Sequence, residues 1–519
     1  EFTLKDVDVK SKSFLDSIDK KKMAIIALIL LAALIIIISI IISSSSDEKK
    51  EKGNDEEKKL PSLGEIICEY NIGSNVQETM ILGKEFSKNS DFEILINGKA
   101  IKYNKEIKFP QIGKNIVIFS IQNDINMDYM FKDVLSLVSV NLTSTKNAKI
   151  TSMKSTFENC QNLENFDING FNTDEVKSMH KLFYQTSLYD INLNNLISKN
   201  VVDISYMFAE SNINEIDFSG IDMISMQNMS HLFDYCSSLT NINLSKWNTN
   251  NVKDISYMFY SCISLRELSF DNFNTDGVED MSHLFHDCAF LTTLNLKNMK
   301  TSNVIDMSFM FSDCESLNQL DVSSFDTSNT KNMSHMFQSC NYISQLNLNN
   351  FKTSKVEDMS YLFYFMQDIK KLEINNWDTS SVKNMSKMFQ YSYGLNNLDI
   401  SNLVTNNVLD MSSMFGDCIS LTQINLDKFD TSQVTDMSGM FEDCTDIREL
   451  NLGNFRTEKV KTMSRMFAAC SSLTSLNINN FDTNNVEDMS YMFYECNMIS
   501  SLPIKTFNTK NVKDFSKNR

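Results

Sequence analysis

Phenylalanine recurs along this chain at intervals of 26 residues, except for two intervals of 25 that flank Phe208. Internal repetition at such a period is typical of a solenoid or an array. A unit this short cannot bury its own apolar residues, so neighbouring units must stack and bury them together. Residues 124–519 are therefore predicted to form one solenoid of about fifteen repeats. The repeats are marked by Phe131, Phe157, Phe183, Phe208, Phe233, Phe259, Phe285, Phe311, Phe337, Phe363, Phe389, Phe415, Phe441, Phe467 and Phe493.

Two spacings within each repeat predict how one coil is built. Met307, Met310, Phe311 and Cys314 lie at i, i+3, i+4 and i+7, which is one face of a two-turn helix, and Asp306 precedes them where a carboxylate caps a helix. The following L-x-x-L-x-L ends in the alternation of a short strand. We therefore expect an α/β, right-handed solenoid with parallel strands on one side and short helices on the other.

The whole unit, L-x-x-L-x-L-x-x-F-x-T-x-x-V-x-D-M-S-x-M-F-x-x-C, resembles the repeat of the BspA-like leucine-rich-repeat surface proteins. The resemblance covers roughly residues 124–519. It implies a leucine-rich-repeat solenoid on a cell-surface protein that functions in adhesion to host proteins or to other cells. The chain differs from bacterial lipoprotein members of that family because it has a long apolar segment with no lipid-attachment cysteine. The repeats before Phe233 also lack most of the T-x-x-V-x-D-M-S segment.

Residues 23–42, MAIIALILLAALIIIISIII, carry no charge and have the length that a helix needs to span a bilayer. We expect a transmembrane helix here, with a cleaved signal peptide or a buried soluble helix as alternatives. Lys20, Lys21 and Lys22 abut the segment, so the positive-inside rule predicts a cytoplasmic tail at 1–22. Residues 43–62, rich in serine and mixed charge, predict a flexible stalk. The predicted localisation is the cell membrane, single-pass, with a cytoplasmic N-terminus and an extracellular solenoid.

Residues 63–123 have a sequence pattern that differs from that of the repeats. Short alternating runs are separated by the turn residues Asn97-Gly98, Pro110 and Gly113, which predicts a small antiparallel β domain. The stretch from Phe92 to Ile121 resembles the later strands of an immunoglobulin-like sandwich.

Cysteine is the residue type that most suggests chemistry, because ten of the eleven cysteines lie three residues after a repeat phenylalanine. The same slot holds Val134, Thr186, Ser211, Met366 or Ser392 in other repeats, which a packing position tolerates and a metal ligand does not. We expect buried thiols; sporadic disulfides and a metal site remain alternatives.

Two further columns of polar residues need an interpretation. Aspartates such as Asp280 and Asp306, five before the phenylalanine, could form a calcium site, but Asn and Thr replace them elsewhere, which favours a capping role. His231, His283 and His335 share a slot with Tyr, Lys, Arg and Gly, which predicts an exposed convex position. No catalytic constellation stands at a unique site, so we expect no enzyme and no cofactor.

The predicted binding face is formed by the residues that flank the inward leucines of each strand. It is polar, mildly acidic and nearly devoid of aromatic anchors, which suits many weak hydrogen bonds along an extended protein or glycan ligand. A net charge of −18 argues against nucleic acid as the partner. The candidate residues are Asn241, Asn243, Glu267, Ser269, Asn295, Asp321, Asn347, Glu373, Asp399, Asn425, Asn451 and Asn477.

Membrane-anchored adhesion or surface recognition is thus the predicted function, and a structural spacer or filament subunit is the alternative. The array stops at Arg519 inside a repeat motif, so self-association through an uncapped C-terminal end is a further expectation. The N-x-S/T sequons that predict glycosylation are Asn141, Asn228, Asn243, Asn332 and Asn384.

Overall fold

The computed structural model describes residues 62–73, 78–88, 91–144, 148–193, 196–218, 221–502 and 504–517. All of them belong to the compact unit Pro61–Arg519. The predicted cytoplasmic tail at 1–22, the transmembrane helix at 23–42 and the stalk up to residue 61 lie outside the described residues. Among the described residues, no helix is long and apolar enough to cross a membrane. This finding contradicts the predicted localisation as a single-pass cell-membrane protein.

Antiparallel strands do follow the alternating runs of the N-terminal region. A six-stranded sheet has the order β10-β8-β1-β6-β3-β4, with β1 paired antiparallel to both β6 and β8. Every second side chain of β1, from Ile66 to Tyr70, is buried, which is why the period of two predicted these strands. The strands are β1 (Gly64–Ile72), β2 (Thr79–Met80), β3 (Phe92–Ile96), β4 (Lys99–Ile101), β5 (Glu106–Ile107), β6 (Gly113–Ile121), β7 (Ile125–Asn126), β8 (Leu137–Ser144), β9 (Ile150–Ser152) and β10 (Asn165–Asn169).

The immunoglobulin-like resemblance of residues 92–121 stays a prediction. β2 and β5 pair antiparallel in a separate two-stranded sheet, whereas six of the other strands form a single sheet. This six-stranded sheet extends beyond residue 123, where the sequence suggested that a separate domain ends. β8 lies between β1 and β10, and β10 pairs with β8 in parallel. The antiparallel region and the first coils are thus joined by backbone hydrogen bonds.

One side of the repeat region carries the predicted short parallel strands. They pair as β11 with β12, β13 with β14, β15 with β16 and β17 with β18. The inward residue of each strand is apolar, as Leu268 and Leu346 are, and both are buried. The chain is therefore a leucine-rich parallel β-solenoid. The strands are β11 (Glu215–Ile216), β12 (Asn241–Ile242), β13 (Glu267–Ser269), β14 (Thr293–Asn295), β15 (Gln345–Asn347), β16 (Lys371–Glu373), β17 (Glu449–Asn451) and β18 (Ser475–Asn477).

The opposite side, which we call the turn side, corrects the prediction of short helices, because the described residues contain no helix. Each repeat is a run of tight turns here. Alternate backbone N–H groups close turns within the coil, as Met310 does on the carbonyl of Met307 (3.3 Å). The N–H groups in between donate to the next coil, as Phe311 does to the carbonyl of Met336 (3.0 Å). The i→i−4 bonds of a helix are replaced by bonds between coils.

Left-handed residues make these turns possible. In the coil of Phe311, Phe309 has φ 57° and Asp313 has φ 60°. The same two slots have positive φ in all fourteen of the other coils. A non-glycine residue in this region costs roughly 1–2 kcal/mol. The hydrogen bonds to the next coil offset that cost. Met307, Met310 and Cys314 still point inward, because two successive turns reproduce the spacing of a helical face.

Stacked phenylalanines form the spine of the core. The rings of Phe311 and Phe337 are buried, nearly parallel (10°) and 5.7 Å apart between centroids. Aspartates five before them cap a turn rather than a helix: Asp306 Oδ1 accepts the N–H of Ser308 (2.8 Å). Asp306 also forms parallel bridges with Asp280 and Asn332 in the neighbouring coils.

Candidate functional site

The strand side places the predicted binding residues in two outward columns. Asn295, Glu373 and Asn477 are half-buried, and the other candidates are exposed. The exposed ones are Asn241, Asn243, Glu267, Ser269, Asp321, Asn347, Asp399, Asn425 and Asn451. The two columns run side by side along the coils because the strands are short, parallel and in register.

The second column also holds the turn that ends each strand. Asn243 Oδ1 accepts the N–H of Ser245 (3.0 Å), and Asn347 Oδ1 accepts the N–H of Asn349 (3.1 Å). Such Asx turns occupy the side-chain oxygen and leave the amide N–H groups directed outward. Some of these amides bond along the column, as Asn477 Nδ2 does to Asn451 Oδ1 (2.8 Å). The face therefore offers amide donors and carboxylate acceptors.

The row of strands is interrupted at the coil of Leu320, as it is at residues 397–399 and 423–425. No strand forms at residues 319–321, and no ladder pairing joins this coil to β14 or to β15. Leu320 is half-buried, whereas Leu346 in the same slot of the next coil is 2% exposed. A cavity of about 490 Å³ lies over this coil, β15 and β16, and Asp321, Gln345 and Asn347 are among its lining residues.

Charged and hydrogen-bonding groups of both signs line this cavity. The hydroxyl and backbone N–H of Ser323 lower the pKa of Asp321, so this carboxylate is ionised at neutral pH. Lys371 forms an ion pair with Glu373, which also accepts Asn349 Nδ2 (3.0 Å). Asn349 Oδ1 is buried and has no hydrogen-bond partner among the described residues.

A second group of cavities lies over β11 to β14. One of about 590 Å³ is lined by Asn241, Asn243, Glu267, Ser269 and Asn295 among others. Asp399, Asn425, Asn451 and Asn477 line neither the cavity at Leu320 nor those over β11 to β14. These cavities all lie in the coils that precede residue 374.

The cysteines lie in the core as free thiols, and Cys496 alone among them is half-buried. Burial raises the pKa of Cys288 to about 12, so the thiol stays protonated. The structure adds a role that packing alone does not predict. Cys314 Sγ donates to the carbonyl of Phe285 in the preceding coil (3.1 Å), and Ser392 Oγ donates to the carbonyl of Phe363 in the same way (2.9 Å). The slot holds a donor that links coils.

The predicted glycosylation sites differ in their surroundings. Asn228, Asn332 and Asn384 are half-buried, and each Oδ1 accepts both the backbone N–H and the hydroxyl of the sequon serine at 2.8–3.0 Å. Asn141 lies in β8, and its Oδ1 is buried without a partner among the described residues. Asn243 is the exposed member of the five. Glycosylation stays a prediction.

A column of stacked rings on the turn side was missed by the sequence reasoning. The slot two before the repeat phenylalanine, predicted to be exposed, is half-buried, and its rings stack with centroids 4.0–4.4 Å apart. Lys181 and Lys387 lie over the two terminal rings, 5.3 Å and 4.9 Å from their centroids. The stack consists of Tyr206, His231, Tyr257, His283, Phe309, His335 and Tyr361.

Comparison with solved structures finds distant likenesses. An LRR protein of Leptospira interrogans is 13% identical, with a TM-score of 0.22, and the match covers 65% of this chain and 90% of that one. The functional domain of InlJ from Listeria monocytogenes, described as including a cysteine ladder, is 15% identical, with a TM-score of 0.18 and coverage of 70% and 67%. The plant peptide hormone receptor RGFR1 in complex with RGF2 is 13% identical, with a TM-score of 0.18 and coverage of 72% and 73%. Likenesses this low carry no functional argument.

No curated protein is significantly similar in sequence to this chain. One family matches repeatedly along the solenoid and the end of the antiparallel region, and its description is "Mycoplasma protein of unknown function, DUF285". The matches overlap and cover residues 102–221, 202–295, 264–371, 340–449 and 420–518. Because these matches cover most of the sequence, the chain belongs to the DUF285 family.

Proposed function

We propose that this protein is a non-enzymatic ligand-binding repeat protein that recognises an extended protein or glycan along its strand side. The observation that carries the proposal is the cavity at Leu320, where the row of strands is interrupted. An extended ligand has its own N–H, O–H and carbonyl groups. The cavity offers them the carboxylate of Asp321 and the amide side chains of Gln345 and Asn347.

Adhesion is the use of such binding that we favour. The repeat motif resembles that of the BspA-like leucine-rich-repeat surface proteins, whose members function in adhesion. The strand side supports this use because it repeats similar polar groups coil after coil. Many weak contacts arranged in a row gain strength together when a ligand is long or presented in many copies.

A matched pair of variants tests the proposal. Asp321 and Asp399 occupy the same slot in coils that both lack a strand, and each Oδ1 accepts the N–H of a serine two residues later. Only Asp321 lines the cavity at Leu320. Asp321→Asn and Asp399→Asn each remove one charge and keep an oxygen for the Asx turn.

The full chain is incubated with arrays of immobilised extended peptides and linear oligosaccharides, and the affinity for each bound probe is then measured in solution. We expect Asp321→Asn to weaken binding of the bound probes about five- to tenfold, which corresponds to the loss of a charge-assisted hydrogen bond. Asp399→Asn should leave the affinity unchanged. The proposal is wrong if no probe binds or if both variants weaken binding equally. Light scattering that shows oligomers of many lengths would instead favour the spacer or filament function.

A further inference from the structure

A cluster of aromatic side chains lies on the turn side, opposite the proposed ligand-binding face. It consists of Tyr364, Phe365, Tyr391 and Tyr393. The ring centroids of contacting pairs are 5.4–6.2 Å apart, and most of these pairs meet edge to face, at 68–88°. All four side chains are half-buried, so each ring keeps part of its surface toward solvent. Such rings are the anchors that the strand side lacks.

Carboxylates continue the same column. The slot that holds Phe365 and Tyr391 holds Asp417 and Asp443 in the next two coils. Asp417 accepts one long hydrogen bond, from Gln390 Nε2 (3.5 Å), and neither aspartate pairs with a cation among the described residues. Burial and the charges of Asp443 and Glu442 raise the pKa of Asp417 to about 6. Acidic groups thus adjoin the aromatic cluster. Asp417 has no ion-pair partner among the described residues, whereas Asp443 has Arg465 as a nearby cation that forms no direct ion pair with it.

Glycine keeps the flank of Asp417 without a side chain. The slot one after the repeat phenylalanine holds Tyr364 and Glu442 in nearby coils but Gly416 beside Asp417. An added Cβ at Gly416 would lie 3.3 Å from the carbonyl oxygen of Gly439 and 3.4 Å from Gln390 Nε2. This coil therefore places no side chain of its own in that slot, and Gln390 of the preceding coil contacts Asp417 there.

The chain's own cations show which ligand suits this face. Arg465 lies 4.8 Å from the ring centroid of Tyr491 and at the same time binds Glu442 Oε1 (2.7 Å). Lys181 lies between two rings, 4.9 Å from Tyr184 and 5.3 Å from Tyr206. On this side of the solenoid, Arg465 thus contacts a ring and a carboxylate together, and Lys181 contacts two rings. In the described part of the chain, no such cation lies over Phe365, Tyr391 or Tyr393.

We propose that the cluster of Tyr364, Phe365, Tyr391 and Tyr393, together with Asp417 and Asp443, binds Arg or Lys side chains of a basic segment of a partner protein. The rings contact the guanidinium or ammonium group, and the carboxylates neutralise its charge. The net charge of −18 steers a basic segment toward the chain, and the cluster determines where it binds. This surface is independent of the strand side, so the two proposals fail separately.

The test uses the full chain and a fluorescently labelled peptide of alternating glycine and arginine, with anisotropy measured at low and moderate salt. Tyr391→Ala and Asp417→Asn place residues that the repeat already accepts in this slot, as Ala469 and Asn159 show. Each substitution should weaken binding about fivefold, as expected for the loss of one cation–π or ionic contact. A peptide with citrulline in place of arginine should not bind.

Two variants serve as matched controls. Tyr235→Ala removes a ring from the same slot in another coil, where the tyrosine is 51% exposed and the nearby Glu210 and Asp234 already accept hydrogen bonds. Asp399→Asn removes the same charge on the strand side. Both should bind the arginine peptide as the unmodified chain does. Equal weakening in all four variants would show diffuse attraction to an acidic protein and overturn the proposal, as would the absence of binding or equal binding of the citrulline peptide.

Discussion

The strand side and the turn side of the solenoid hold successive coils together in different ways. On the strand side, short strands pair two by two, and coils such as that of Leu320 join no ladder. On the turn side, each coil donates alternate N–H groups to the next, and buried rings stack behind them. The turn side therefore holds the coils together more continuously. Cavities can form on the strand side because the turn side keeps the coils stacked.

Replacement of a ring in the core spine should have the largest effect. Phe311→Ala leaves a cavity between the rings of Phe285 and Phe337, and we expect a loss of about 3–5 kcal/mol in the local free energy of unfolding. Leu320→Ala, on the strand side, should cost about 1 kcal/mol because this side chain is already half-exposed. Amide hydrogen exchange in the flanking coils measures both. Similar losses would mean that the two sides stabilise the stack equally.

Replacement of a thiol that links two coils should have the next largest effect. Cys314→Ala removes the donor to the carbonyl of Phe285 and should cost about 1–2 kcal/mol. Cys314→Ser should cost less, because Ser392 makes the corresponding bond in its own coil. Chemical denaturation of the full chain under reducing conditions compares the two variants. If serine and alanine cost the same, packing alone explains the slot.

Ala468 and Ala469 test whether a positive φ strains the backbone in the left-handed slots. Ala469 has φ 56°, whereas Ala468 beside it does not have a positive φ. Ala469→Gly should stabilise the chain by about 0.5–1 kcal/mol because glycine adopts this region without a steric cost. Ala468→Gly should destabilise it by about 1–2 kcal/mol, since the entropy of the unfolded chain rises and a buried methyl group is lost. Thermal melting distinguishes the pair, and destabilisation by both would rule out backbone strain at Ala469.

Acid should affect the two sides over different ranges of pH. Burial and the neighbouring His286 lower the pKa of His283 from 6.5 to about 4. The unfolded chain then binds a proton that the folded ring does not, so stability is lost as the pH falls from about 6.5 to about 4. On the strand side, hydrogen bonds lower the pKa of Asp321 and Asp399, and their contribution is lost only below about 3.8.

His283→Phe isolates the turn-side effect, because Phe309 occupies the same slot in the next coil. The variant should resist the loss between pH 6.5 and 4 by about 1 kcal/mol, once solvent screening of this partly exposed ring is allowed for. Asp417 acts in the opposite direction, because its raised pKa removes stability as the pH rises from 3.8 to about 6. Melting temperatures of both proteins across this range provide the measurement. Parallel curves would contradict the role of His283.

Much of the inside of the solenoid was predictable because it depends on the repeat itself. The inward Phe, Met, Cys and Leu positions follow from their period, and residues such as Phe311, Met310 and Leu346 are buried as expected. The polar columns of the strand side follow in the same way. The prediction of helices was wrong because two successive turns bury the same four positions as two turns of a helix. Aspartate, asparagine and glycine in the two left-handed slots, as at Asp313, Asn159 and Gly439, were the available signal.

Particular sites depended on neighbours that the repeat does not encode. The cavity at Leu320 lies over a coil that forms no strand, although its apolar pattern, Leu317, Leu320 and Val322, matches that of coils that do. The coils at 397–399 and 423–425 form no strand either. The ring stack and the aromatic cluster depend on which side chains happen to follow one another 25 or 26 residues apart. Tyr391 and Asp417 are 26 residues apart in the sequence, and they become neighbours only when the coils are stacked in register.

By itself, the sequence determined that this protein is a stack of similar coils, which residues face inward and which polar columns face outward. A fixed period is enough for that, because burial alternates along the chain itself. The tertiary structure decided whether each coil closes with helices or with turns, and where the strand side opens. Those outcomes depend on hydrogen bonds between coils, and a backbone N–H has a partner in the next coil only after the coils have stacked.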